Sequence, residues 1–256
     1  MQLQNLSIIV VLFFGACVSQ KQSIGLMGAM EEEIEVVKSS MLDVKEIKIG
    51  QLVFYTGKIN NRDIVLSLSG IGSVNAAITT TVLINHFNVK SIVFTGVSGA
   101  ITNNLKVGDI VIGTNFIHYD VDHTIFGLEL GHISREDIWK YPTDLQLINL
   151  AQNITKTLCI NQQVVLGKII SGDIFMKDKA SRFNVAQKFQ ADAMDMESAS
   201  VAHVAYKFNI PVVIIRSMSN RKEGDDKEQY LQFFKEAAKN SANVLINMIN
   251  FVEFPY

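Results

Sequence analysis

The sequence predicts a single-domain α/β fold, a mixed central β-sheet flanked by helices. Three observations carry that expectation. Short continuous apolar runs, Ile24–Met30, Ser91–Phe94 and Val212–Ile215, have the length and apolarity of strands buried on both faces. Segments of helical spacing alternate with them, and no Pro/Gly/Ser-rich linker divides the chain. The 256 residues are 48% hydrophobic and 19% charged with three prolines, enough for one large core and too apolar for a disordered chain. Lys+Arg 23 against Asp+Glu 25 leaves a formal net charge of -2, which argues against nucleic acid as a partner because phosphate binding wants a concentrated basic face.

The first 22 residues read separately from the domain over 23–256. An uncharged start, the apolar run Leu6–Phe14 and Gly15-Ala16-Cys17 suit a signal segment too short to span a bilayer. Small residues before a cysteine resemble a lipoprotein cleavage box, with Cys17 the lipidated residue and possible membrane anchor. The n-region has no Lys or Arg, and Phe14 stands where an aliphatic is usual. The expectation is export, periplasmic or membrane-anchored; the other reading is a mis-assigned start on a cytoplasmic protein. With Cys17 lipidated only Cys159 remains, so no intrachain disulfide is available.

Past the first strand, Glu31-Glu-Glu-Ile-Glu-Val-Val37 takes helical spacing. Acids in a first turn favour the helix dipole, which accounts for Glu31 and Glu32. Glu33, beside Ile34, is the one expected to turn inward, where a carboxylate at the sheet rim could activate water. Leu52–Tyr55, Thr56–Asn60 and Asp63–Ser69 read as strands with a hairpin at Asn60-Asn61. Ser69-Gly-Ile-Gly72 leads into a helix over Val74–Phe87, and Ser91–Phe94 ends in the glycine turn Thr95-Gly-Val-Ser-Gly99. Both junctions mark a pocket without naming its ligand, since neither is a complete GxGxxG or Walker pattern.

Lys106-Val-Gly-Asp109 reads as a turn into the strand Ile110–Gly113. The stretch Phe116–His132 holds His118, His123 and His132 without an HxH or HExxH spacing, so a loop or subunit-contact role is expected over a metal. Asp144–Leu158 is an amphipathic helix, and Val164–Ile170 a strand running into Ser171-Gly-Asp-Ile-Phe175-Met176. Phe175 either stacks on a base or covers the core rim; Phe183 and Phe189 read as core. Glu197 opens a small-residue helix through Tyr206, a turn at Asn209-Ile-Pro211 follows, and Val212–Ile215 delivers Arg216 and Asn220 to the end of a buried strand, where parallel sheets place their chemistry. Arg221–Glu228 is a solvated charge run, and Gln229–Phe251 a closing helix with Leu231, Phe234, Ala238 and Leu245 at helical spacing.

Taken in order, Gly25-Leu-Met-Gly-Ala-Met-Glu-Glu-Glu-Ile34, Ser69–Gly72, Thr95–Gly99, Lys106–Val111, Ser171–Phe175, Asp195-Met-Glu197 and Arg216-Ser-Met-Ser-Asn220 resemble the bacterial 5′-methylthioadenosine/S-adenosylhomocysteine nucleosidases from Ser23 to about Phe251. The resemblance implies the nucleoside phosphorylase fold, a homodimer, no metal or organic cofactor, and hydrolysis of an N-glycosidic bond that releases adenine from a purine nucleoside. It implies that Glu33 deprotonates water, that Met196 and Glu197 hold the ribose, that Phe175 and Met176 stack and cradle the adenine, and that Arg216 braces the carboxylates. Ser219 would position the base edge, Tyr230 would cover the 5′-thioalkyl group, and Val97 would line the pocket. His123 stands where many members carry an aliphatic residue.

Asn220 departs further, because the family carries there an aspartic acid that protonates N7 of the leaving adenine. An amide donates a hydrogen bond but transfers no proton, and leaving-group protonation is typically worth about 10²–10⁴-fold in rate. The sequence therefore admits a slowed hydrolase, a nucleosidase preferring 6-oxopurines, or a catalytically impaired purine-nucleoside-binding or surface interaction protein. The first is expected, since a binding protein has no chemical need for Glu33. Phosphorolysis is not expected, because Met30–Glu33 occupies the region where phosphorylases hold phosphate.

Overall fold

The computed structural model describes residues 22–101, 104–159, 161–176, 179–219 and 227–253. Among the described residues, ten strands and six α-helices follow in chain order: β1 Ile24–Gly28, α1 Glu31–Ser39, β2 Leu42–Ile49, β3 Leu52–Ile59, β4 Arg62–Leu68, α2 Ser73–Asn85, β5 Ser91–Ala100, β6 Ile110–His118, β7 Tyr141–Pro142, α3 Leu145–Leu158, β8 Val164–Ser171, α4 Lys179–Phe189, β9 Ala193–Asp195, α5 Ser198–Lys207, β10 Val212–Met218 and α6 Lys227–Met248. One mixed sheet runs β10-β6-β8-β9-β5-β1-β4-β3-β2, and β10 also pairs with β5. That extra pairing closes β5, β10, β6, β8 and β9 into a ring, from which β1, β4, β3 and β2 fan out.

The continuous apolar runs are explained by burial on both faces. Along β10, Val213 and Ile215 enter a core shared with α1, α3 and α6, whereas Val212, Ile214 and Met218 enter one shared with α2 and α5. Strand β1 divides likewise, Ile24 and Leu26 against Met27. A third cluster of Ile117, Tyr119, Ile170, Phe189 and Met194 packs under α4. Asn60 and Asn61 sit at φ 48° and 64°, the left-handed pair that a two-residue hairpin requires. Asp144 caps α3, accepting from the amides of Gln146 and Leu147, and Asn209 at φ 54° ends α5.

Several elements differ from the sequence reading. Strand β2, which was not anticipated, is the exposed edge of the sheet, with a bulge at Asp43 (φ 56°) and charges at Lys45, Glu46 and Lys48. Leu52–Ile59 is one strand, and β6 extends to His118 with a register shift between Gly113 and Asn115. The expected turn at Thr95–Gly99 is strand: β5 continues to Ala100 because β10 pairs with it through Ser98 and β9 takes Gly99 and Ala100. Phe189 is core as expected, but Phe183 and Leu231 are 40% and 44% exposed.

Candidate active site

The site forms where β5 changes partners. The even residues of β5 bond toward β10: Ile92 N–H donates to Pro211 O, and Ser98 O accepts from Ser219 N–H. The odd residues therefore face the other edge, where β1 pairs only as far as Phe94 and β9 begins at Gly99. Thr95 and Val97 are left there with buried backbone groups that need partners. Val97 N–H donates to Glu33 Oε1 at 2.9 Å, and Thr95 O accepts from Arg216 Nη1 at 3.0 Å.

Glu33 is 2% exposed, while Glu31 and Glu32 point to solvent. Its Oε2 also accepts from the amides of Ala29 (2.7 Å) and Met30 (3.1 Å). The inward glutamate is thus the one that bonds the start of α1, so capping and inward placement fall on one residue instead of being shared out among three. Burial raises its pKa, outweighing the Arg216 charge and the three amides that pull it down. A carboxylate so raised is a stronger base than a free one.

Arg216 is 1% exposed at the end of β10. Its guanidinium lies over the Phe94 ring, Cζ 3.9 Å from the centroid, and Nε donates to Asp195 Oδ2 at 2.8 Å and Ser198 Oγ at 3.2 Å. Asp195 accepts in turn from Ser171 Oγ (2.6 Å) and Ser198 N–H (3.1 Å), and Ser198 Oγ reaches its Oδ2. The Ser171 bond follows from register, since Ser171 and Asp195 are partners across β8 and β9. Arg216 therefore braces Asp195 directly and reaches Glu197 only at 4.0 Å from Nη2 to Oε2.

Glu197, the N-cap of α5, is 6% exposed, and its Oε1 accepts from Gly72 N–H at 2.8 Å. Burial, then the neighbouring Asp195, pushes its pKa up to about 7. Met196 is half-buried beside it. Beyond β8 the loop carries Phe175, 68% exposed, and half-buried Met176; Tyr119 O–H donates to Ile174 O at 2.9 Å and steadies it. Ser219 N–H donates to Ser98 O at 3.1 Å, placing Ser219 against β5 one residue from Val97.

The structure thus gathers Glu33, Val97, Glu197, Arg216 and Ser219 at the ends of β1, β5, β9 and β10, with Met196, Phe175 and Met176 in adjoining segments. Asn220 and Cys17 lie outside the described residues, and of Tyr230 only the backbone, in α6, is described. His123 is held by Ser134, whose N–H donates to its Nδ1 at 2.9 Å. Among the described residues no group of three or more His, Cys, Asp or Glu could hold a metal ion. Sequence reasoning quoted Asp195, Ser171 and Gly96 only within motifs, without a role of their own, and did not single out Ser198. A Cβ on Gly96 would lie 2.2 Å from Arg216 Nη1 and 2.6 Å from Glu33 Oε1, so only glycine lets both charges approach β5. A separate groove of about 1160 Å³, lined by Leu145, Tyr206, Pro211 and Phe251, lies at the opposite end of β10 from Arg216.

The phosphorylase superfamily matches residues 23–250. The 5′-methylthioadenosine/S-adenosylhomocysteine nucleosidase of Staphylococcus carnosus is 40% identical over 227 residues, 88% of this chain and 98% of its own. Among solved structures, the Neisseria meningitidis nucleosidase of that name, in complex with methylthio-immucillin-A, superposes with a TM-score of 0.85 at 34% identity, covering 90% of this chain and all of the other. The futalosine hydrolase of Helicobacter pylori gives 0.83 at 33% identity, covering 91% and 99%. With that agreement of sequence and fold, the chain belongs to the 5′-methylthioadenosine/S-adenosylhomocysteine nucleosidase family of the phosphorylase superfamily.

Proposed function

We propose that the protein hydrolyses the N-glycosidic bond of 5′-methylthioadenosine, S-adenosylhomocysteine or both, releasing adenine. The observation that carries this is Glu33, a buried carboxylate of raised basicity held by three amides within the field of Arg216. Water bonded to Glu33 gives up a proton to it as its oxygen joins C1′ of the ribose. The C1′–N9 bond breaks with its electrons passing to the purine. Glu197 accepts from a ribose hydroxyl through Oε2, the oxygen not taken by Gly72, with Met196 behind the sugar. Phe175 and Met176 flank the base, Ser219 and Val97 line its edge, and Tyr230 covers the 5′ group. Asn220 polarises the purine by hydrogen bonding, and the base takes its proton from solvent, which lowers turnover.

Adenine release by wild type, Glu33→Ala and Asn220→Asp tests this, with 5′-methylthioadenosine, S-adenosylhomocysteine, futalosine and a 6-oxopurine nucleoside as substrates. Release from the first two by wild type, abolished in Glu33→Ala, is expected. Asn220 also favours a second reading, a purine-nucleoside-binding protein without turnover. That reading gains if wild type binds these nucleosides but only Asn220→Asp releases base.

A homodimer is supported by the apolar surface of Ile71, Val74 and Ile78, 52%, 66% and 48% exposed, which Asp173 joins to exposed Ile174 and Phe175 by bonding Ser73. Light scattering on Val74→Glu reads it, a monomer being expected. Export as a lipoprotein anchored through Cys17 is read by labelled palmitate, whose incorporation should vanish in Cys17→Ser; a soluble product with an intact N-terminus overturns it.

A further inference from the structure

Helix α2 starts without a cap of its own. Position 72 is glycine at φ +100°, and no side chain of the helix start bonds its first amides. Two carboxylates from the far half of the sheet do so instead: Glu197 Oε1 takes Gly72 N–H at 2.8 Å, and Asp173 Oδ1 takes Ser73 N–H at 2.7 Å. Asp173 Oδ2 also accepts from Ser73 Oγ, and the Asp173 N–H donates to Asp120 Oδ2 at 3.0 Å. A Cβ at residue 72 would stand 3.1 Å from Asp173 Oδ1, so glycine permits this approach.

Buried Glu197 therefore leans on an amide row whose other end is set by exposed Asp173. Asp173 sits two residues before Phe175, so the same contact ties the loop carrying that aromatic ring to the helix start. We propose that Asp173 is a positioning residue for Glu197, fixing through Ser73 and Gly72 the carboxylate that reads the ribose. The inference rests on the nucleosidase reading and on Glu197 as the ribose ligand. Sites built to hydrogen-bond a hydroxyl reject analogues lacking it strongly, and this rejection weakens when the partner is misplaced.

The test is the ratio of kcat/KM for 5′-methylthioadenosine to that for its 2′-deoxy and 3′-deoxy counterparts. Asp173→Ala should lower the larger of these ratios on the order of tenfold or more. Asp173→Asn, which keeps an oxygen for Ser73 N–H, should hold it near wild type. In a Glu197→Gln background Asp173→Ala should leave the ratio unchanged, because the group it acts through is gone. Equal losses on ribo- and deoxy-substrates, or the same fall in the Glu197→Gln background, would overturn the proposal, for a merely structural defect does that. If Asp173→Ala does not fold, Ser73→Ala, which removes only the hydroxyl donor, must move the ratio the same way. If wild type releases no base, the nucleosidase reading has failed; the proposal is then decided on the ratio of dissociation constants for the same nucleosides, read by calorimetry on the same variants.

Discussion

Replacing Gly96 by alanine is the most direct perturbation of the site that adds no charge and removes no side chain. The added Cβ would lie 2.2 Å from Arg216 Nη1 and 2.6 Å from Glu33 Oε1, distances that carbon atoms do not tolerate. Neither group can step aside freely, since Nη1 is bonded to Thr95 O at 3.0 Å and Oε1 to Val97 N–H at 2.9 Å within a buried network. Losing one charge-assisted bond costs about 1.5–3 kcal/mol. Overpacking adds about 1–3 kcal/mol, so Gly96→Ala should destabilise by about 2.5–6 kcal/mol. Displacing Glu33 by about 1 Å should also cost on the order of 10²-fold in kcat/KM for adenine release. Urea unfolding followed by circular dichroism reads the first effect, and initial rates on the folded protein read the second. A stability within about 1 kcal/mol of wild type together with activity within about fivefold would show that the network yields readily and would refute the account of it as rigid.

Glu197, pushed up to about 7 by burial and Asp195, should give kcat/KM an acid limb near that pH, because only the ionised carboxylate accepts both from Gly72 and from a hydroxyl; Glu197→Gln should abolish the limb along with most activity. Because its folded pKa is raised, the stability linked to Glu197 is full below the unfolded carboxyl's range and is lost as pH rises through about 7, so Glu197→Gln should flatten the decline of folding stability over that interval in urea titrations. His203 behaves oppositely. Burial, with His118 beside it, lowers it to about 4, so its contribution is present above the unfolded histidine value of about 6.5 and lost as pH falls toward 4. His203→Phe keeps the stack on Tyr141, whose centroid is 4.2 Å away, and should lose less melting temperature than wild type on acidification.

Sequence periodicity located the strands that are buried on both faces, because an unbroken apolar run has few other places to go. It failed on β2, whose Leu-Asp-Val-Lys-Glu-Ile-Lys-Ile is half charged: as an exposed edge strand it needs only one modest apolar face, and its bulge at Asp43 breaks the alternation. It failed again at Thr95–Gly99, where glycine reads locally as a turn but the backbone stays extended to pair with β10 and β9. Glu197 and Arg216 were legible because a lone charge beside a buried strand is costly without a purpose, and Glu33 because it is the one of three consecutive acids that adjoins Ile34. The roles of Asp195 and Asp173 were not, since each acts through partners from separate elements: Ser171, Ser198 and Arg216 for one, Ser73 and Asp120 for the other. The serines that mark them follow the strand ends in the sequence, yet nothing local says which carboxylate they meet.

The same groups that complete the fold at the β5 partner change are the ones proposed to carry the chemistry. Val97 N–H needs an acceptor and Thr95 O a donor whether or not a nucleoside is bound, and Glu33 and Arg216 supply them. Variation at those positions is therefore penalised twice, in stability and in rate. Asn220 follows Ser219, whose N–H donates to Ser98 O, and the bonds named above run between Glu33, Thr95, Val97, Asp195 and Arg216 and their neighbours. On the proposed reading, a change of acid to amide there alters the proton supply to the leaving base without removing any of those bonds. Asn220→Asp should accordingly raise adenine release by about 10²–10⁴-fold, while shifting folding stability by no more than about 0.5 kcal/mol. A large stability change with little gain in rate would mean that residue 220 belongs to the scaffold and that the slow step lies elsewhere.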